Sequence, residues 1–99
     1  MIVVTAKLKA RREDAEEVEK QFRMLVEYVR NEEPGTLTYL FHRAKDDRSR
    51  FFFYERYQDE ESLAKHTSSL RFQQVFGKVS PLIEEPPVIE MYEEISGKR

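Results

Sequence analysis

The chain has 99 residues, 39% hydrophobic and 36% charged, with a formal net charge of −2, a length and balance that describe one ordered domain spanning residues 1–99 with no second hydrophobic core. A chain this short buries roughly 60–65% of its extended surface, so either all of it joins one core or a partner extends that core. The absence of cysteine excludes disulfides, thiolate nucleophiles and thiolate metal sites, and the slight acidity disfavours nucleic acid and anionic membrane surfaces as partners.

The first residues, MIVVTAKLKARR, lack the basic start and long apolar core of an export signal. No run approaches the about 20 apolar residues needed to cross a bilayer, so a cytoplasmic location is expected. Ile2, Val4, Ala6 and Leu8 alternate with Val3, Thr5, Lys7 and Lys9, the period of two of a strand with one buried face. From Glu13 to Arg30 the period changes. Ala15, Val18, Phe22, Leu25 and Val29 recur at three and four and share one helical face. Glu13, Asp14, Glu16 and Glu17 sit where carboxylates favour the helix dipole, and Glu16–Lys20 and Glu19–Arg23 are spaced as i,i+4 pairs. Pro34 then restrains Glu33 toward extended backbone, and Gly35 is expected to take a turn conformation closed to other residues.

Thr36 to Arg43 reads as a second strand, with Leu37, Tyr39 and Phe41 on one side and Thr38, Leu40 and His42 on the other. Ala44 to Ser49 is a polar turn, and Arg50 to Tyr57 a third strand hairpinned onto the second. Phe51, Phe53, Glu55 and Tyr57 share one face of it; Phe52, Tyr54 and Arg56 share the other. Asp59 can cap the next helix, on which Leu63 and His66 look inward together. Thr67-Ser68-Ser69 interrupts the pattern, leaving either one kinked helix or two short ones. Leu70, Phe72, Val75, Phe76, Val79 and Ile83 resume a helical face, Val88 to Ile95 returns to strand character, and Gly97 to Arg99 is a frayed end.

The order strand, helix, strand, strand, helix, strand predicts an α+β, ferredoxin-like βαββαβ fold, a four-stranded antiparallel sheet with both helices on one face. The other face, carrying Phe52, Tyr54 and parts of the first and last strands, is too apolar for a monomer. The expected remedy is a homodimer, a dimeric α/β barrel closed by packing sheet on sheet, with the last strand available to cross to the partner.

Few constellations carry chemistry. His42 and His66 are the only histidines and neither has a familiar metal-ligand spacing, so no metal is expected. Three scattered glycines make no phosphate cradle. The strand RFFFYERY has the aromatics and arginines of an RNA-stacking sheet, but Glu55, Glu90, Glu93 and Glu94 neutralise it. His66, at the inward edge of a helix, suits a general base or a hydrogen-bond donor to a bound oxygen; the plainer alternative is a half-buried histidine bonded to a backbone carbonyl or to Glu55. Glu55 interrupts a run of aromatics, so it either reaches a charged or hydroxyl partner, a dimer interface included, or faces a cavity as a substrate contact. Phe22, Tyr39, Phe53, Tyr57, Phe72 and Phe76 form either plain core or the lining of a pocket for a flat aromatic ligand. Arg43, Arg50 and Arg56 read as a solvated strand edge.

EPGTLTY at Glu33–Tyr39, FYERYQDEESLAKH at Phe53–His66 and SLRFQQVFG at Ser69–Gly77 together resemble the antibiotic biosynthesis monooxygenase family, which includes quinol monooxygenases. The shared features are a glutamate-x-glycine turn, a glutamate two residues before an aromatic on the third strand, and a histidine on the following helix. The resemblance implies a homodimer with one pocket per subunit and, as in some members, cofactor-free oxygenation of a quinol or polyphenol-like molecule. His66 would then orient or deprotonate a substrate hydroxyl, with Tyr39, Tyr57 and Phe76 packing the ring. A haem-degrading branch fits poorly, because its asparagine, tryptophan and haem-ligating histidine correspond to Ala6, His66 and Phe76. Other members resemble isomerases of phosphorylated or multiply hydroxylated carbonyl compounds, so an isomerase and a non-catalytic small-molecule-binding dimer stand as alternatives.

Overall fold

The alternating segments form four strands in a computed structural model that describes residues 1–98; the fraying expected of Arg99 lies outside them. The strands are β1 (Ile2–Lys9), β2 (Thr36–Ala44), β3 (Asp47–Tyr57) and β4 (Val88–Glu93), and every neighbouring pair is antiparallel in the order β2-β3-β1-β4. Helix α1 (Ala15–Glu32) carries the chain from β1 to β2, and α2 (Glu60–Ser68) and α3 (Leu70–Val79) carry it from β3 to β4. This is the expected ferredoxin-like topology, with the second helix in two pieces. Short 3₁₀ turns at Arg12–Asp14 and Ser80–Leu82 adjoin α1 and α3.

The two-piece helix has a local cause. Asp59 accepts from the Ser62 backbone N–H and starts α2, while Ser69, extended at φ −66° and ψ 147°, accepts from the Phe72 N–H and starts α3. Each oxygen satisfies a donor that the first turn of a helix leaves free. The inward faces of α1 and α3 bury Val18, Phe22, Leu25, Val29, Val75 and Val79 against Ala6, Leu8, Phe51 and Phe53 of the sheet. Only one sheet face is covered in this way. The outer face shows Leu40, Val88 and Tyr92 about half exposed.

Several local expectations are corrected. The hairpin between β2 and β3 is tighter than the polar Ala44–Ser49 segment suggests, because Asp47 and Ser49 belong to β3. The Asp47 carboxylate accepts from Lys9 and from the backbone and hydroxyl of Ser49, and Ser49 O accepts from Ala10 N–H, so the segment is held in the sheet. Register slips between Thr36 and Thr38, which inserts Leu37 as an extra residue and leaves it 44% exposed instead of in the core. Arg43 and Arg56 are not a solvated edge: they are ion-paired with Glu19 and Glu94 and largely covered. The Glu19–Arg23 pair of α1 forms as spaced.

Gly35 has an unexpected reason for being glycine. Among the described residues no glycine has positive φ, so a special turn conformation is not needed. Instead the backbone at Gly35 passes so close to α2 that an added Cβ would lie 2.2 Å from Ser62 Oγ and 2.7 Å from Ser62 Cβ. The turn is pressed onto the helix that carries His66. Gly35→Ala is therefore expected to destabilise the fold by about 1–3 kcal/mol, the usual cost of overpacking, read as a lower urea midpoint at unchanged slope. Ser62→Gly introduced into that variant should recover part of the loss, and a purely additive double mutant would refute the contact as the cause.

Candidate active site

The inward alternation of β3 continues past the hydrophobic core and delivers Phe53, Glu55 and Tyr57 to the space beneath α2. A cavity of about 290 Å³ lies there, near the lower end of the size range of small-ligand pockets. Its walls are Val4 and Ala6 of β1, Tyr39 of β2, Phe53 and Glu55 of β3, Leu63, His66 and Thr67 of α2, Phe72 and Phe76 of α3, and Ile89 and Met91 of β4. A larger hollow beside Arg12, Asp46 and Arg48 is bounded by the β2–β3 turn, the start of β3 and the start of α1, and its lining includes no buried titratable side chain.

Six of the anticipated site residues meet in this cavity: His66, Tyr39, Phe53, Glu55, Phe72 and Phe76. Two do not line it. Phe22 is fully buried behind the wall, edge-on to Phe53 at 4.9 Å and to Phe76 at 5.5 Å, because helix α1 lies on the far side of those rings. Tyr57 is also fully buried; it acts on the cavity through its hydroxyl, which donates to Glu55 Oε1 at 2.5 Å. Glu55 thus has its hydroxyl partner on its own strand and stands on the helix-facing side of the sheet, not on the outer face.

His66 is 1% exposed and ringed by Tyr39, Tyr57 and Phe72 at centroid distances of 4.9, 5.6 and 5.0 Å. Its partner is neither a backbone carbonyl nor Glu55. Nδ1 lies 2.8 Å from Oε1 of Glu33, the residue that ends α1. Glu33 Oε1 also accepts from the Thr36 hydroxyl at 2.8 Å. Nε2 of the same imidazole is buried and has no hydrogen-bond partner. Glu33 is the residue that the sequence reading missed. Its signal was the Glu-Pro-Gly turn, read there for backbone conformation and not for its side chain.

Two carboxyl groups at the site are pushed in opposite directions. Burial opposes ionisation of Glu33, yet the hydrogen bond and charge of His66 and the Thr36 hydroxyl together hold its carboxyl below the usual range. Burial dominates at Glu55 and raises its carboxyl against the opposing hydrogen bond from Tyr57. Burial, with Glu55 and Glu33 nearby, also raises the Tyr39 phenol well above its ordinary value. None of the lining residues is Lys or Arg. Among the described residues no group of three or more His, Asp or Glu side chains is placed to hold a metal ion.

Fold and cavity define a class: a ferredoxin-like α+β domain holding a small, mostly apolar pocket with one imidazole and one carboxyl set into its wall. The chain belongs to the antibiotic biosynthesis monooxygenase family, whose sequence profile matches residues 1–78. A crystal structure from Caulobacter crescentus CB15, provisionally assigned to the same family, is 30% identical with a TM-score of 0.91, covering 96% of this chain and 90% of that one. Similar assignments attach to structures from Nitrosomonas europaea, 23% identical with a TM-score of 0.90 over 97% and 100% of the two chains, and Deinococcus radiodurans, 19% identical with a TM-score of 0.89 over 100% and 97%. At those identities the likeness concerns the fold. A search of curated proteins finds no match.

The opposed carboxyl groups give a pH test. A carboxyl raised on folding binds its proton more tightly in the native state, so its contribution is greatest below the unfolded value near 4.5 and is lost as pH rises through the folded value. Glu55→Gln keeps an acceptor for Tyr57 and removes the titration. Its stability relative to the unsubstituted protein should therefore rise between pH 4 and pH 8 in paired urea melts; a difference that is flat or falls with pH would show that Glu55 is not raised.

Proposed function

We propose that this protein is a cofactor-independent monooxygenase that oxidises a quinol or polyphenol-like small molecule with dioxygen, and that it works as a homodimer. The observation that carries this reading is His66, a residue of the lining of a mainly aromatic and aliphatic cavity, whose buried Nε2 has no hydrogen-bond partner. Family membership supports monooxygenase-like chemistry. The cavity suits a flat, uncharged ring, and Nε2 suits a hydroxyl proton on that ring.

In this scheme His66 accepts the hydroxyl proton and leaves an electron-rich aryloxide. The aryloxide passes one electron to dioxygen, and the resulting aryloxyl radical, through its ring carbon, combines with superoxide to form a carbon–oxygen bond. Proton return and loss of water give the quinone, so one substrate and one O₂ yield one quinone and one H₂O. The organic anion supplies the reducing electrons. Phe53, Phe72, Phe76 and Tyr39 would hold the ring, and Glu55 would offer a second polar contact for a second oxygen of the substrate. An isomerase of phosphorylated compounds fits less well, since no cation among the lining residues would meet a phosphate.

A second copy of the chain would cover the outer sheet face, where Leu40, Val88 and Tyr92 are about half exposed beside Phe52 and Tyr54. Sheet-on-sheet packing would remove this apolar area from water. Incubation of the protein with dihydroxynaphthalenes and related quinols should give protein-dependent oxygen uptake that stops without dioxygen. His66→Ala should lower the rate by about 10²-fold or more, the usual worth of a positioned general base, while sedimentation still shows two chains and circular dichroism is unchanged. Uptake that is equal in His66→Ala would rule out His66 as the base.

A further inference from the structure

Resting on that reading of His66, we infer that Glu33 is a positioning residue: its carboxylate holds the His66 imidazole in the Nδ1–H tautomer and leaves the Nε2 lone pair as the proton acceptor at the cavity. Donor and acceptor capacity fixes where the proton sits. An ionised carboxylate has no hydrogen to give, so in the 2.8 Å contact with Glu33 Oε1 the proton belongs to Nδ1. A neutral imidazole carries only one ring proton. Nε2 is then bare, and it is the nitrogen for which the protein supplies no partner.

The surroundings of Glu33 are built for this contact. Pro34 follows it, and Glu33 itself leaves the helix at φ −123° and ψ 81°, with its own N–H still bonded to Val29 O. Gly35 O accepts from Gln58 N–H at 3.0 Å, and the lack of a side chain at Gly35 lets the turn press against Ser62 of α2. The Thr36 hydroxyl, donating to the same Oε1, fixes the carboxylate from the other side. Three consecutive features of one turn thus aim one oxygen at one ring nitrogen. Buried polar groups usually have partners; at this pair Nε2 of His66 and Oε2 of Glu33 are both buried without one. An unpartnered Nε2 on a residue that lines the cavity favours a ligand hydroxyl that completes it.

The test has a readout that needs no substrate. Protein labelled with ¹⁵N-histidine, with His66→Ala used to assign the two histidines, should show neutral His66 protonated at Nδ1 and bare at Nε2. In Glu33→Ala the Nδ1–H population should fall as the Nε2–H form grows, and Glu33→Asp should restore part of it. With any quinol that the unsubstituted protein oxidises, Glu33→Gln should lower kcat by about tenfold or more with KM within about twofold, as expected for loss of general-base alignment. An Nε2–H tautomer in the unsubstituted protein overturns the inference, whether or not the variants fold. So does a tautomer that is unchanged in folded Glu33→Ala. Absence of turnover together with a Glu33-dependent Nδ1–H tautomer would instead remove the proposed oxygenation and leave the positioning role standing.

Discussion

Phe22 is the side chain on which the layers of this small domain converge. It projects from α1, is fully buried, and stands edge-on to Phe41 of β2, Phe53 of β3 and Phe76 of α3 at 4.9 to 5.5 Å. Burial of such a ring contributes about 1.5–3 kcal/mol, and favourable aromatic pairs add about 0.5–1.5 kcal/mol each. More important is what the cluster separates. On one side of Phe53 and Phe76 lies the close-packed core; on the other lies the cavity. The pocket can remain open because its rigid inner wall is supported from behind by α1.

The polar residues of the cavity depend on that wall. β3 alternates strictly, so the periodicity that buries Phe51 and Phe53 also buries Glu55 and Tyr57. Burying a lone carboxylate is costly, and the structure meets the cost with the Tyr57 hydroxyl on one oxygen and a raised proton affinity. His66 and Glu33 solve the same problem differently, as a hydrogen-bonded pair drawn from elements 33 residues apart. Two neighbouring carboxyl groups are thereby pushed apart in acidity. Such a separation keeps the carboxylate behind His66 anionic while the carboxyl in the cavity wall stays ready to hold a proton.

The sheet has two faces with different fates. Its inner face is covered by helices, while the outer face leaves apolar side chains half exposed and β4 exposed along its whole length. β4 also bounds the cavity through Ile89 and Met91. The packing of that strand therefore bears on both the assembly and the pocket, which gives the proposed dimer a direct relation to the proposed chemistry.

Much of this was legible in the residues alone. The period of two in β1 and β3, the three-and-four spacing in α1 and the capping residue Asp59 are local signals, and local signals determine element type and the inward or outward sense of each side chain. From them followed the topology, the inward position of His66 and the company of Tyr39, Phe53, Phe72 and Phe76. What tertiary structure alone decided were the matters of distance between separate elements. The bulge at Leu37 resets the side-chain alternation of β2, and Phe22 and Tyr57 stand behind the cavity wall because the Phe53 and Phe76 rings and the Glu55 carboxyl come between them and the cavity. Above all, the partner of His66 is Glu33, and a glycine expected to turn the chain serves instead to let that turn touch α2. Periodicity records which way a side chain points; only the packed fold determines what it meets.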